Sequence, residues 1–336
     1  MDIDIILNEF TSPQEAAELG LLAESLGVRG VWSSNYAWSR DPFLTLAPLA
    51  DQSSRIRLGP LAVSPYELHP LKMANLLYGL NEMSRGRAMI TVGGGGAVLQ
   101  GIGMKRERMV RAVRECLEIL KTDVREKPLN YPGELYKVYG FKAEWATDTP
   151  PLIYVGSNHP QTRRLSAKLA DGLMTSDFCV PLMKDFIEHT HADLAAAGRS
   201  PKDFRINNFW AWHIKEDAAA SMREARRELI LRGYLGEQYF RPFLSDDEIQ
   251  LMLANFQPFL DAFMKGTDVI EGVPEDLVNK MIENISFAGG LDAIDKAIAT
   301  LNEFADIGLT EIALRVHDDP ADAIRLIGEQ VIPKLG

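Results

Sequence analysis

Four consecutive glycines, Gly93 to Gly96, close the apolar run "ITVGGGG" and lead into "AVLQGIG" (90–103). A glycine-rich turn after a buried strand is the usual chemistry of a phosphate cradle, in which backbone N–H groups hold a nucleotide. No register of G-x-G-x-x-G fits residues 93–103, and no Gly-Lys-Ser/Thr follows. A dinucleotide fingerprint and a P-loop are therefore both excluded. What remains is exposed backbone: glycine tolerates positive φ and lets a flat ligand approach the main chain. A flexible loop without a ligand is the alternative.

Other reactive residue types form no constellation. His189 and His191 stand two apart in a helical run and so do not share a face. His69 precedes Pro70 at a helix start, a structural position. His213 follows "FWAW" and shares a face with Ala211, so it either packs in the core or points into a barrel mouth. No Asp/Glu/His group has metal-ligand spacing, and no metal is expected. Gly-x-Ser-x-Gly is absent, and Cys116 and Cys179 carry no nucleophile signature. As the only two cysteines they read as buried thiols in a reducing compartment.

The elements that must position these residues alternate. Strand candidates are 3–7, 30–34, 56–63, 88–93, 151–156, 172–176, 204–214 and 311–316. Helical periods lie between them at 12–27, 42–53, 70–84, 106–121, 160–170 and 181–198. Ser12, Pro13 and Glu15 make a capping box with proline at the first helical position. Eight such strands predict a (β/α)8 TIM barrel as one domain over 1–336, with a doubly wound sheet as runner-up. Insertions are expected after strands four and seven, at about 123–150 and 233–288. The first contains a hairpin, "YPGELYKVYGF". The second is helical and aromatic (Tyr234, Tyr239, Phe240, Phe243, Phe256, Phe259, Phe263), suited to roofing a hydrophobic pocket or to packing on the barrel.

In a barrel the four glycines fall at the C-terminal rim, where active sites lie. The third strand is odd. Pro60 sits inside a run that should be central, where its missing N–H costs a ladder bond unless the strand bulges there.

Composition narrows the classes. A net charge of −11 argues against a general nucleic-acid binder. "MDIDIILNEF" carries acids where a secretory leader carries bases, and no run approaches the ~18 apolar residues of a membrane span. The expectation is a cytoplasmic protein.

Segment 31–96 resembles the luciferase-like flavin-dependent oxidoreductases, and within them the branch containing methylenetetrahydromethanopterin reductase. The carrying pieces are Asp41-Pro42, "RIRLGPLAV", His69-Pro70 and "LNEMSRGRAMITVG", then "PLIYVGSNHPQTRRLSAKLADGLMTS" and "ISFAGGLDAIDKAI…GLTEIALRV…VIPKL". The resemblance implies a barrel binding FMN or the 5-deazaflavin coenzyme F-420 at its strand ends. It implies a third-strand bulge with a non-prolyl cis peptide at Leu61–Ala62 or one residue later, so Leu61, Ala62 and Val63 are cofactor candidates. It places Gly93 and Gly94 along the ring and ribityl chain, a phosphate loop at Gly156, Ser157, Asn158 and His159, and a further contact at Ser176. The physics of that loop agrees, since a helix N-terminus with a serine hydroxyl suits a phosphate. Arg163 or Arg164 adds charge there if turned inward.

There is one departure. Where the family often has Asp-His after strand two, this chain reads Ser34-Asn35, followed by Tyr36 and Trp38. An acid/base is lost, and Asn35 remains as the catalytic candidate. Three functions follow in order: a monooxygenase using reduced FMN from a separate flavin reductase on a small organic substrate; a deazaflavin-dependent hydride-transfer enzyme; and a non-catalytic flavin-binding barrel. A homodimer through the second and third helices is also implied.

Overall fold

The computed structural model describes residues 1–335. Eight parallel strands close on themselves: β1 (Asp2–Leu7), β2 (Gly30–Ser34), β3 (Arg57–Val63), β4 (Met89–Gly93), β5 (Leu152–Gly156), β6 (Gly172–Ser176), β7 (Arg205–Trp212) and β8 (Glu311–Arg315). Each pairs with the next in chain order, and β8 returns to β1 with Glu311 opposite Asp2. That closure makes the molecule a TIM barrel and excludes the open doubly wound sheet.

Local sequence fixes where the helices begin. Ser12 caps helix Pro13–Ser25 with Glu15 closing the capping box, and Asp41 caps Pro42–Gln52 through its side chain. Each such cap is worth about 1 kcal/mol. His69 does the same for Pro70–Met83, its Nδ1 accepting from the Leu71 amide at 3.2 Å. The structural assignment of that histidine is therefore correct.

Two apolar layers hold the barrel. The larger lies between strands and helices, and Cys116 and Cys179 are free thiols buried within it. The smaller fills the interior with Ile6, Trp32, Met89, Tyr154, Met174 and Ala313. Below it a buried polar plug joins the strands at their N-terminal ends. Arg29 Nε donates to Asp4 at 2.8 Å, and Tyr154 donates to Glu311 at 3.0 Å. Asn207 donates to both carboxylates at 3.2 Å. Networks at that pole of a barrel serve stability, which leaves the C-terminal mouth as the open end.

The two interruptions are real. Leu129–Pro132 and Lys137–Phe141 form an antiparallel hairpin before β5. After β7 come helices Glu237–Phe240, Asp246–Ala254, Phe256–Lys265 and Glu275–Ile285. No helix among the described residues is long and apolar enough to cross a membrane.

Candidate functional site

The distortion in β3 begins just after Pro60. On the β2 side Pro60 stays in register with Ser33. On the β4 side Leu61 faces Thr91 and Val63 faces Val92, so Ala62 is the extra residue of a bulge. The Leu61–Ala62 peptide is cis and does not involve proline. Gly59 makes the close strand approach possible, because a Cβ there would lie 2.0 Å from the Met89 carbonyl oxygen.

Asn35 clamps this segment from β2. Its backbone N–H donates to Leu61 O at 2.9 Å, and its Nδ2 donates to Ala62 O and to Glu67 Oε1, both at 3.0 Å. The same Glu67 oxygen accepts from the Ser64 amide at 2.5 Å. Burial pushes the Glu67 carboxyl above the usual range, against the opposing pull of those hydrogen bonds.

Beside the bulge, Gly93 of β4 and Gly156 of β5 are register partners. A Cβ at Gly93 would lie 3.0 Å from Ala62 Cβ, and one at Gly156 would lie 3.0 Å from Thr91 Cγ2. Three adjacent strand ends thus offer backbone and one methyl group, a flat floor to a cavity of ≈ 450 Å³. The remaining glycines of the quartet make the turn: Gly95, at φ +98°, caps the short helix Gly96–Gly101.

Past β5, Ser157, Asn158 and His159 precede helix Pro160–Leu169, which no side chain caps. The first amides of a helix have no intrahelical partner and favour an anion. Ser157 Oγ accepts from the His159 amide at 3.0 Å and hydrogen-bonds Thr162 Oγ1; Asn158 Nδ2 donates to the Tyr239 hydroxyl at 2.5 Å. Neither candidate arginine helps. Arg163 turns away to Asp193, 2.7 Å off, and lies over Phe186, while Arg164 is exposed. Arg106, exposed at the cavity edge, does line it.

Of the residues singled out from sequence, Asn35, Leu61, Ala62, Gly93, Gly94, Gly156, Ser157, Asn158, His159 and Ser176 all border this cavity. Val63 does not. The bulge turns it into the layer between barrel and helices, where it is 3% exposed. The aromatic insertion divides: Tyr234 and Tyr239 line the cavity, whereas Phe240 and Phe259 are buried in the core.

Sequence reasoning missed a buried ion pair on the cavity wall. Arg232 Nη1 lies 3.2 Å from Asp177 Oδ1, and its guanidinium carbon sits 5.3 Å from the Phe209 ring centroid. Asp177 also accepts from the Gly233 amide at 2.9 Å. Burial raises the Asp177 carboxyl pKa, and Arg232 works against that rise. Arg232 Nε has no hydrogen-bond partner among the described residues. Asp177 directly follows β6, so the rule that barrel chemistry sits at strand ends was a usable signal. Arg232, 55 positions further on, had none. Spacing likewise concealed a cluster of His213, Glu224 and His317, which the fold brings together.

With this geometry in view, the model of the luciferase-like monooxygenase family matches residues 5–302. This chain belongs to that family. A 5,10-methylenetetrahydromethanopterin reductase of Archaeoglobus fulgidus is 30% identical over 322 residues, covering 94% of this chain and 93% of that protein. Among solved structures, the coenzyme F420 dependent tetrahydromethanopterin reductase of Methanopyrus kandleri superposes with a TM-score of 0.82 at 21% identity, covering 100% of both chains. The oxygenating constituent of 3,6-diketocamphane monooxygenase from Pseudomonas putida, in complex with FMN, gives 0.69 at 21% identity, covering 100% of this chain and 99% of that one. The last two likenesses speak to the fold.

Proposed function

We propose that this luciferase-like oxidoreductase binds a 5-deazaflavin coenzyme of the F420 type at the barrel mouth and exchanges hydride between it and a small organic substrate. The near-full-length kinship with a reductase supports ranking deazaflavin above FMN. The resemblance, taken with its missing Asp-His pair, puts reduced FMN and monooxygenation first, and that order is reversed here.

The observation that carries the reading is the floor of Ala62, Gly93 and Gly156, which fits a planar ring and which any larger side chain would fill. When bound, such a coenzyme supplies a two-electron hydride at C5 of its ring. The chain's own residues bind and orient. Asn35 holds the Ala62 carbonyl, and with it the level of the floor. Ser157, Thr162 and the uncapped helix start offer donors to a phosphate tail, with Arg106 adding charge at the edge. Tyr36 and Tyr234 line the same cavity, and their rings would displace water from around a bound coenzyme. Arg232 lines the cavity, and its Nε is a buried donor without an acceptor among the described residues, which suits it to a carbonyl or carboxylate of the substrate.

The test is anaerobic turnover. F420 is incubated with the enzyme and a panel of small alcohols and reduced carbon donors, and its visible absorbance is followed. Bleaching that depends on substrate and on enzyme is expected. Oxygen uptake with reduced FMN, and no F420 bleaching by any substrate, would refute the reading.

A further inference from the structure

A second cavity, of ≈ 470 Å³, opens beside the ends of β7 and β8. Three buried side chains from distant parts of the chain meet on its wall. His213 is one residue past β7, Glu224 lies on helix Ala218–Glu228, and His317 is two residues past β8. Their ligating atoms all lie within 4.8 Å of one another. His213 Nδ1 is 2.7 Å from Glu224 Oε1, and His317 Nδ1 is 4.0 Å from the same oxygen.

The other carboxylate oxygen is already held. Oε2 accepts from Lys215 Nζ at 2.7 Å and from the Asp318 amide at 3.1 Å, which leaves Oε1 facing the imidazoles. Partners that orient a ligand from behind are a regular part of metal sites. His317 is 7% exposed, lines the cavity, and its Nε2 has no partner among the described residues. Around them the wall carries six further carboxylates, among them Asp318, Asp319, Asp322 and Glu329, against Lys215 and Arg325. Such a surface draws cations inward.

We propose that His213, Glu224 and His317 form a site for one first-row divalent metal ion of the zinc class, with a coordination position left open toward the cavity. Two imidazole nitrogens and one carboxylate oxygen are a donor set for such ions, and three protein ligands leave room for water or a small molecule. The ion replaces the proton shared by His213 and Glu224. Burial holds both imidazoles toward the neutral form that ligates, and for His213 the neighbouring Glu224 only partly offsets this. Lys215 is the competing cation. Bound metal ties the ends of β7 and β8 to the helix that precedes Arg232, and the proposal stands whichever coenzyme the barrel mouth takes.

The test uses the untagged full chain, stripped with a chelator, dialysed, and titrated with Co2+ by visible absorption and with Zn2+ by calorimetry. Wild type takes up one Co2+ with the d–d spectrum of a nitrogen- and oxygen-ligated ion, which Zn2+ displaces. His213→Asn and His317→Gln weaken that binding at least about tenfold while retaining the wild-type circular dichroism. No saturable uptake, a thiolate-type charge-transfer band, or equal uptake by wild type and His317→Gln would overturn the site.

Discussion

Gly93 and Gly156 face each other across adjacent parallel strands, and a Cβ on Gly93 would meet the Ala62 methyl at 3.0 Å. Each ends its strand, and neither has a positive φ that would require glycine. What they provide is an absence of side chain where a ring is proposed to lie. Gly93→Val should therefore weaken coenzyme binding about ten- to hundredfold. Thermal unfolding should show a folded barrel. A variant that folds and binds normally would show that the floor is not the ring's seat.

Asn35 holds the bulge through one backbone and two side-chain hydrogen bonds. Replacing it by alanine removes the two side-chain bonds and leaves the Ala62 carbonyl without that donor. Coenzyme affinity is expected to fall about tenfold. Glu67→Gln, whose amide oxygen still accepts from Asn35, should be milder. Fluorescence titration of both variants checks this ranking, and equal losses would contradict it.

Ser157 and Thr162 stand at an uncapped helix start, and Ser157 Oγ is tied to both the loop and Thr162. Ser157→Ala should weaken the intact coenzyme several-fold and leave a phosphate-free fragment, carrying only ring and ribityl chain, unaffected. Equal weakening of the two would move the phosphate elsewhere.

Glu24 gives a stability prediction with a definite sign. Burial acts to raise its pKa, but hydrogen bonds from Ile56, Arg55 and Ser54 outweigh it and hold the carboxylate at about 2. These amides lie 2.8, 2.9 and 3.1 Å from Glu24 Oε2. A carboxylate depressed in the folded state stabilises above its unfolded pKa, about 4.3, and loses that contribution as pH falls through the folded value. The Tm gap between wild type and Glu24→Gln should be widest above about pH 5 and close toward pH 2. A gap independent of pH would show that the charge is not what matters.

Much of this was legible in the chain. All eight barrel strands follow from short β-rich runs between helical periods, and Pro60 marked the bulge because a proline in a central strand demands an irregularity. The phosphate-loop candidates were readable because a glycine, small polar residues and a helix-starting proline are contiguous. Val63 was misplaced because a bulge reverses which face the following side chain takes. Arg232 and the His213–Glu224–His317 cluster were invisible for another reason. Each meets its partner only after the barrel closes, and no spacing records that. Asp177 stood in view at a strand end, but its partner did not.

The central claim is that the floor at Ala62, Gly93 and Gly156 seats a deazaflavin ring. Parallel equilibrium titrations of the purified chain with F420 and with FMN, read by coenzyme fluorescence, test it most directly. The account predicts saturable F420 binding, tighter than that of FMN and reduced in Gly93→Val. FMN bound more tightly than F420, or F420 binding untouched by that substitution, would contradict it.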